Sequence, residues 1–414
     1  MQVNTKRLEK DLVNIAQFGR LENGGVTRLA FSQEDLRARD YLKKAMEEIG
    51  LKVTIDPFGN MRGRRDGKRD LAPVMIGSHL DTVPNGGNYD GVLGVIGALE
   101  VIRVLNDEGI VTERPIEVVN FSCEESSRFR AGTLGSKFLV SKISVEDIKK
   151  YVDKDGITLY DAVKSWGLDP EEMPKFQLKK DDLYAFLELH IEQGPVLENE
   201  NLQVGIVTAI AAPTRFRVII KGRADHSGNT PMSMRKDALA GASELILAVE
   251  RIASSEAGDR TVGTVGYVNV VPGAMNVIPG EVELGIDIRD INSADKKVAV
   301  AKVKDAIEKI KEKRNLEITY AIIADEEPVV LSEKIINSLE EEAKEAGLRY
   351  IKMPSGAGHD AMHMTEVTNV GMIFIPSIDG VSHNIKEFSR LEDMARGTEL
   401  LLKTTLKLAQ EGDE

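Results

Sequence analysis

The chain has 414 residues, 42% hydrophobic and 29% charged, a composition typical of a globular protein too long for one ordinary core, so we expect two domains. Its net charge of −13 argues against a nucleic-acid partner, which would need a basic surface. One cysteine, Cys123, excludes an internal disulfide framework and a cysteine-based zinc finger. The hydropathy contains no membrane span and the first residues do not resemble a secretory signal, so we expect a cytoplasmic protein with no membrane partner.

The first half of the chain alternates apolar strands with amphipathic stretches. Buried strands are predicted over 73–77 and 115–122, with a helix over 92–106 between them. Strand, helix, strand at this spacing is typical of an α/β layer. A further strand is predicted over 185–190. The basic segment 62–69, interleaved with Gly and Asp, is predicted to be a turn between two strands.

Near residue 211 the pattern changes to that of a separate unit. Its predicted elements are strand 214–222, helix 237–253, strands 261–271 and 281–289, helix 295–314 and strand 317–323. This βαββαβ order is the split-βαβ sandwich. The α/β pattern then resumes with helix 333–346, strand 371–376 and helix 391–410. The sequence therefore predicts a discontinuous two-domain α/β protein. One domain, residues 1–210 and 325–414, has a mixed sheet flanked by helices, and a smaller α+β domain, residues 211–324, is inserted in it.

Three of the six histidines lie at the ends of predicted strands. His79 follows one strand, His190 ends another, and His383 comes after the strand that finishes at Pro376. In open α/β sheets, ligands bind beyond the carboxyl ends of the strands. These imidazoles can therefore converge although they are far apart in the chain.

Carboxylates occur in the same positions. Asp81 follows the first histidine by two residues, Asp90 lies in the glycine-rich turn 85–91, and Glu124 and Glu125 follow a strand. Imidazole and carboxylate are the ligands expected for zinc, manganese, cobalt or nickel in a hydrolytic site. The candidate ligands are enough for two divalent metal ions, zinc foremost, bridged by one carboxylate. They are His79, Asp90, Glu125, His190 and His383.

Each of these residues has a simpler explanation when it is taken alone. Asp90 could be an ordinary turn residue, and Glu124 with Glu125 could begin a helix, where acidic residues are favoured. His79 could be a hydrogen-bonded core histidine. Cys123 fits a small buried residue better than a nucleophile, because no basic residue flanks it. Only the combination indicates a metal site.

Ordered motifs along nearly the whole chain carry a resemblance to a known family. They are Gly-Gly-Val-Thr-Arg-Leu-Ala-Phe (24–31), Gly-Ser-His-Leu-Asp-Thr-Val (77–83), Gly-Gly-Asn-Tyr-Asp-Gly (86–91), Glu-Glu-Ser-Ser-Arg-Phe (124–129), Glu-Leu-His-Ile-Glu-Gln-Gly-Pro-Val-Leu (188–197), His-Ser-Gly-Asn-Thr-Pro-Met (226–232), Pro-Ser-Gly-Ala-Gly-His-Asp-Ala (354–361) and Asp-Gly-Val-Ser-His-Asn (379–384). The chain resembles the co-catalytic zinc superfamily of aminoacylases and carboxypeptidases. Within it, the chain is similar to the N-carbamoyl-L-amino acid hydrolase and allantoate amidohydrolase branch, also described as the hydantoinase/carbamoylase amidases.

The resemblance implies roles for the metal ligands. Asp90 would bridge the two metals, and His79 and His190 would complete the ligands of one metal or the other. Glu125 and His383 would be the remaining ligands. Peptidases of the superfamily tend to carry an acidic residue at the position of His190, so the histidine favours the amidohydrolase branch.

The resemblance also implies roles for two carboxylates beside the ligands. Asp81 would hold the second ring nitrogen of His79, the usual support for a metal-binding histidine. Glu124 would be the general base, taking a proton from the water that bridges the metals and passing it to the leaving nitrogen.

The inserted domain supplies the remaining implied residues. His226 would stabilise the tetrahedral intermediate, reaching the site of a second subunit, so a homodimer is expected. Asn276 and Arg289 would hold the substrate carboxylate, for which the bidentate fork of arginine is suited. Arg289 could instead form a salt bridge with Asp287 or Asp290.

Three further residues would contact the substrate, a small ureide or amide that carries a carboxylate. They are Arg215, which favours ureide over amino-acid substrates, and Gln193 and His359, which would line the pocket. The expected reaction is hydrolysis of a linear C–N bond, foremost the ureido bond of an N-carbamoyl-L-amino acid. Allantoate amidohydrolase, and an aminoacylase or dipeptidase on the same scaffold, remain the alternatives. Domain closure about hinges near residues 211 and 325 is also expected.

Overall fold

The computed structural model describes residues 1–412. The chain folds into two compact units. The first contains Met1–Thr208, Leu331–Ser355 and the chain from His359 onward. The second contains Ala209–Val330 and Gly356–Gly358.

The first unit is a mixed sheet with helices on its faces. Up to the second unit its elements are α1 (Thr5–Ala16), α2 (Gln33–Glu48), β1 (Lys52–Ile55), β2 (Met61–Arg65), β3 (Val74–His79), α3 (Val92–Asp107), β4 (Ile116–Phe121), α4 (Leu134–Leu139), α5 (Val145–Ile148), α6 (Leu159–Ser165), β5 (Ala185–Ile191), α7 (Val196–Asn199) and β6 (Val204–Ile210). The second unit contains β7 (Ala212–Lys221), α8 (Ala238–Arg251), β8 (Val262–Val271), β9 (Glu281–Asp290), α9 (Ser293–Arg314), β10 (Glu317–Asp325) and β11 (Val329–Val330). The first unit then resumes with α10 (Glu333–Glu345), β12 (Tyr350–Ser355), α11 (Asp360–Met364), β13 (Asn369–Ile375) and α12 (Leu391–Gln410).

The order of strands in the first unit places four parallel strands side by side. The order is β1-β2-β4-β3-β5-β13-β6, with β12 paired to β6. Strands β4, β3, β5 and β13 are parallel to their neighbours, whereas β2 and β6 run antiparallel at the two sides. Every residue of β3, β4 and β5 is buried, as expected for parallel strands covered on both faces.

Helix α3 illustrates why the sequence folds this way. It is apolar nearly all round, and most of its residues are buried, which is the pattern of a helix enclosed in a core. Its N-cap is Gly91, whose backbone has φ 66°, a positive φ that glycine adopts without a steric penalty. Asp90 therefore lies immediately before the N-cap of the helix, at the carboxyl end of the sheet.

The second unit has the predicted βαββαβ order. Its sheet is ordered β10-β7-β9-β8, with antiparallel neighbours. Helices α8 and α9 are capped by the side chains of Asp237 and Asn292, which satisfy N–H groups at the helix starts. Both helices pack on one face of the sheet around a common apolar core.

The predicted fold class is confirmed, but the basic segment 62–69 was only partly predicted correctly. Residues up to Arg65 belong to β2, and the turn follows them. The strand tolerates these charges because Arg64 pairs with Glu117 of β4 at 3.2 Å and with Asp70 at 2.7 Å. Among residues 1–412, no helix is both long and apolar enough to cross a membrane.

Candidate metal centre

The four parallel strands bring the predicted ligands to one edge of the sheet. His79 ends β3 and lies opposite Phe121, the last residue of β4. His190 lies opposite Phe374 near the end of β13. Because parallel strands share a carboxyl edge, the segments that follow β3, β4, β5 and β13 start from the same side of the sheet.

The first set of candidate ligands is His79, Asp90 and His190. Their donor atoms all lie within 4.8 Å of one another. Oδ1 of Asp90 is 3.6 Å from Nε2 of His79 and 3.3 Å from Nε2 of His190. All three side chains are buried, so a metal ion here would be shielded from bulk water.

The second set is Asp90, Glu125 and His383, again with donor atoms within 4.8 Å of one another. Nε2 of His383 is 3.4 Å from Oδ2 of Asp90 and 3.2 Å from Oε1 of Glu125. Asp90 thus turns one oxygen to each set. Three nitrogen or oxygen donors in each set, joined by one carboxylate, fit two divalent ions of the zinc type.

The two buried histidines are held in the ring orientation that a metal requires. Nδ1 of His79 is 3.0 Å from the carbonyl oxygen of Asp81, and Nδ1 of His190 is 2.9 Å from that of Ile191. A carbonyl oxygen only accepts, so each Nδ1 carries the proton and Nε2 keeps its lone pair.

The carboxylate of Asp81 has a different role from the one predicted. The carboxylate lies 3.7 Å from Nδ1 of His79. The main-chain carbonyl oxygen of Asp81 accepts the hydrogen bond from Nδ1 instead. The two carboxylate oxygens accept hydrogen bonds from the main-chain N–H groups of Glu124 (3.2 Å) and Glu125 (2.9 Å). Asp81 therefore orients the segment that carries the predicted base and a ligand.

The charges of the centre are strongly coupled. Burial alone would lower the pKa of His79, but Glu124, Asp90 and Asp81 raise it well above its usual range. Hydrogen bonds that the ring of His383 donates to the carboxylates of Asp90 and then Glu125 raise its pKa to about 11. Facing carboxylates thus favour positive charge on the histidines, and a divalent cation can supply this charge in place of protons.

Close backbone approach explains the glycine-rich turn before α3. A Cβ atom on Gly91 would lie 2.3 Å from Nε2 of His79, and one on Gly87 would lie 2.1 Å from Oε1 of Glu387. Three non-glycine residues of the site also have left-handed backbones, namely Cys123, Gln193 and His383. Such conformations cost about 1–3 kcal/mol each and cluster at functional sites.

Glu124, the predicted base, lies beside the first ligand set without belonging to either set. Its Oε2 is 3.7 Å from Nε2 of His79, and its side chain is 11% exposed. Burial raises its pKa, His79 opposes this, and Glu125 with Asp360 raises it further, so the pKa is well above its usual range. A carboxylate with a raised pKa is suited to accept and return a proton near neutral pH.

The two predicted pocket residues of this unit both contact ligands. Nε2 of Gln193 donates to Oδ2 of Asp90 at 2.6 Å. The ring of His359 packs edge-on against His190, with centroids 4.6 Å apart, and its Nε2 is 2.9 Å from Oγ of Ser355. Burial and then His190 hold the pKa of His359 well below its usual range, so this ring is neutral.

Sequence reasoning missed several buried polar residues around the ligands. Glu188 accepts from Oγ of Ser78 at 2.6 Å and from the N–H of Ala361 at 3.0 Å. Although it forms a third possible ligand group with His190 and His359, both its oxygens already accept hydrogen bonds. A glutamate inside an otherwise apolar strand was the signal that could have found it. Glu387 and Ser382 were also missed.

In the second unit, Arg215 and Arg289 share one carboxylate. Nε of Arg215 is 2.8 Å from Oδ2 of Asp287, and Nε of Arg289 is 2.8 Å from Oδ1. Nη1 of Arg289 also donates to the carbonyl oxygen of Gly356 at 3.0 Å. Of the two salt bridges considered for Arg289, the one with Asp287 is present. Its proposed contact with a substrate carboxylate stays a prediction.

The second unit also brings together His226 and Asn276. The N–H of Ser227 donates to the carbonyl oxygen of Asn276 at 3.1 Å, so the two loops lie side by side. Nδ1 of the exposed His226 accepts from the N–H groups of Gly228 (3.1 Å) and Asn229 (3.2 Å). Its proton is therefore on Nε2, which makes the ring a donor.

Comparison with known proteins places this site in a family. The model of the peptidase family M20/M25/M40 matches residues 75–407, and the chain belongs to that family. It is a hydrolase, and the family is metal-dependent, in agreement with the candidate ligand sets.

Its relatives are amidohydrolases. The chain is 40% identical to an N-carbamoyl-L-amino-acid amidohydrolase from Pseudomonas sp. (98% of each chain). It is 39% identical to a ureidoglycolate hydrolase from Oryza sativa (98% of this chain, 85% of the relative), and 35% identical to an allantoate amidohydrolase from Escherichia coli (97% of each). The crystal structure of a hydantoinase/carbamoylase family amidase from Burkholderia multivorans superposes with a TM-score of 0.92, at 37% identity over 100% of this chain and 99% of that one.

Proposed function

We propose that this protein hydrolyses the ureido C–N bond of N-carbamoyl-L-amino acids with two divalent metal ions, zinc foremost. The observation that carries the proposal is the pair of ligand sets joined by Asp90, with Glu124 beside them. His79 and His190 would hold one ion, and Glu125 and His383 the other. When bound, such ions polarise a carbonyl oxygen and make water acidic enough to attack at neutral pH.

The protein's own residues would transfer the proton of the attacking water to the leaving group. Glu124 would accept the proton of the attacking water and deliver it to the leaving nitrogen, which departs as ammonia. The carbamate left on the amino acid would then release carbon dioxide. The raised pKa of its carboxyl, caused first by burial, suits both steps. His226, whose Nε2 carries the ring proton, would donate to the oxygen that becomes negative.

Residues of the second unit would bind the substrate carboxylate. Arg289 and Asn276 are proposed for this contact, with Arg215 beside them. Since Asp287 neutralises part of the charge of both arginines, the two cations leave one net positive charge for an anionic substrate. Replacing the substrate carboxylate by a carboxamide should raise KM far more for the unmodified protein than for Arg289→Ala.

Two alternatives differ in substrate rather than in chemistry. The allantoate and ureidoglycolate relatives favour a ureide of that type as the second candidate. An aminoacylase or dipeptidase is disfavoured because the ligand at position 190 is a histidine and not an acidic residue.

A substrate panel would separate these candidates. Ammonia release would be measured on N-carbamoyl-L-amino acids, allantoate and ureidoglycolate, and amine release on N-acetyl amino acids and dipeptides. Each assay would be repeated after chelation and after adding back zinc, manganese, cobalt or nickel. We expect the highest kcat/KM on an N-carbamoyl-L-amino acid. A preference for acetyl or peptidyl substrates would refute the proposal.

We also propose a homodimer formed through the second unit, and a cytoplasmic location. Strand β8 is an edge strand of its sheet and exposes Val262, Tyr267, Val268 and Val271. An exposed apolar edge of this kind favours association with another chain. Sedimentation equilibrium at several concentrations would test the dimer, with a monomer at all of them as the contrary result.

A further inference from the structure

A buried carboxylate outside both ligand sets connects two loops that carry ligands. Glu387 is only 3% exposed and follows His383 by four residues. Its Oε1 accepts hydrogen bonds from the main-chain N–H groups of Tyr89 at 2.9 Å and Asp90 at 3.1 Å. The backbone that presents the bridging ligand is therefore held by the loop that presents His383.

The other oxygen of Glu387 reaches the ligand's side chain through Ser382. Oγ of Ser382 is 3.0 Å from Oε2 of Glu387 and 2.8 Å from Oδ2 of Asp90. A hydroxyl has one proton, so it donates to one carboxylate at a time, and when it donates to Asp90 it holds Oδ2 in place beside Glu387. That oxygen is the one facing His383 at 3.4 Å.

The packing leaves little freedom for this arrangement to change. A Cβ atom on Gly87 would lie 2.1 Å from Oε1 of Glu387, so the turn closes directly onto the carboxylate. Glu387 thus holds the backbone of Asp90 and, through Ser382, acts together with Gln193 on the side-chain rotation of Asp90. A bridging carboxylate needs both, because a rotation that moves one oxygen off its ligand set moves the other as well.

We propose that Glu387, acting through Ser382, is a positioning residue that orients Asp90 as the bridge between two metal ions. The inference rests on the proposed two-metal site. Groups that hydrogen-bond to metal ligands typically contribute 10–100-fold to metal affinity. We therefore expect Glu387→Ala to weaken binding of at least one zinc ion by about 10–100-fold.

Two further variants separate positioning from simple loss of packing. In Glu387→Gln, the amide oxygen can still accept both N–H bonds and the amide N–H can donate to Ser382, so most of the affinity should return. Ser382→Ala removes the hydroxyl that lies between Glu387 and Oδ2 of Asp90. It leaves both main-chain N–H bonds to Glu387 in place, so it should weaken zinc binding less than Glu387→Ala does. If Glu387→Ala does not fold, these two variants still test the positioning role.

Asp153→Ala is the matched control. Oδ1 of Asp153 accepts from the N–H groups of Asp155 (3.0 Å) and Ile157 (2.9 Å), and Oδ2 accepts from Nε of Arg128 (3.1 Å). This carboxylate therefore organises a loop with a similar bonding pattern, and none of its three donors belongs to a candidate ligand. Its loss should lower the unfolding midpoint without changing zinc affinity.

The experiment measures zinc stoichiometry and dissociation constants on the full chain by competition with a chromogenic chelator, with urea unfolding in parallel. The proposal predicts that Glu387→Ala and Ser382→Ala lose affinity, while Glu387→Gln and Asp153→Ala keep it. Unchanged affinity in Glu387→Ala and Ser382→Ala, or an equal loss in Asp153→Ala, would overturn it. If the unmodified protein binds fewer than two zinc ions, the proposed function itself fails, and that result is visible before any variant is compared.

Discussion

Replacing Gly91 by alanine would test the metal centre through a single methyl group. Two effects of the substitution can be separated in the structure. Gly91 has φ +66°, and the added Cβ would lie 2.3 Å from Nε2 of His79. A left-handed alanine costs about 1–2 kcal/mol, and the contact with His79 adds a steric effect on a ligand atom.

The magnitude of the steric effect follows from the distances. To move from 2.3 Å to the 3.4 Å of ordinary contact, the ring of His79 must retreat by about 1.1 Å, whereas metal–ligand distances tolerate about 0.2 Å. Gly91→Ala should therefore lose at least the 10–100-fold in metal affinity that perturbing a ligand's supporting partner causes. Turnover at limiting zinc should fall with it.

Gly109→Ala supplies the control at the other end of the same helix. Gly109 has φ +64°, and its Cβ would meet nothing within 4 Å. Gly109→Ala should lower the free energy of unfolding by about 1–2 kcal/mol in urea, and Gly91→Ala by at least as much because it adds the clash with His79. Only Gly91→Ala should weaken zinc binding in a chelator-competition assay. Equal zinc affinities for the two variants would refute the proposed role of His79 as a ligand.

Three other expectations concern the base, the metals and acid stability. Glu124→Gln should keep two zinc ions and lose turnover by about 10²–10⁴-fold, and a variant that retains most activity would remove Glu124 from the mechanism. Chelation should lower the unfolding temperature reversibly, because ions that bind only the folded chain at 100 times their Kd stabilise it by about 2.7 kcal/mol; an unchanged transition would argue against bound metal. Burial lowers the pKa of His363 well below its usual range, so the unfolded chain takes up a proton at about pH 6.5 that the folded chain does not. Stability should therefore be complete above that pH and fall as the pH drops through it, with a slope of up to about 1.4 kcal/mol per pH unit. In urea titrations between pH 5 and pH 8, His363→Gln should make stability less dependent on pH. If the variant and the unmodified protein show the same pH dependence, His363 is not its cause.

The sequence by itself was sufficient to predict the α/β class, the inserted βαββαβ unit and the residues that come together as candidate ligands. The reason is that these features are local. Strand β3 is a short apolar run ending on His79, and β5 carries His190 next to its last residue. Since parallel strands share a carboxyl edge, their terminal residues can be expected to meet without any knowledge of distances.

Only the tertiary structure showed how the candidate ligands group into two sets and which atoms support them. The sequence left open which histidine joins which set, and the structure places His79 and His190 on one oxygen of Asp90 and His383 on the other. In the structure, Nδ1 of His79 donates to a main-chain carbonyl oxygen, because the carboxylate of Asp81 accepts hydrogen bonds from two N–H groups.

Glu387 is the clearest example of a residue whose role is visible only in the tertiary structure. It is 297 residues from Asp90 in the chain, and nothing in the pattern around it distinguishes it from a surface glutamate. Residue types and strand ends can be recognised from neighbours in the sequence, because they obey local periodicity. The choice of a hydrogen-bond partner depends on which loops meet in the folded chain, and only the three-dimensional structure of the first unit determines that.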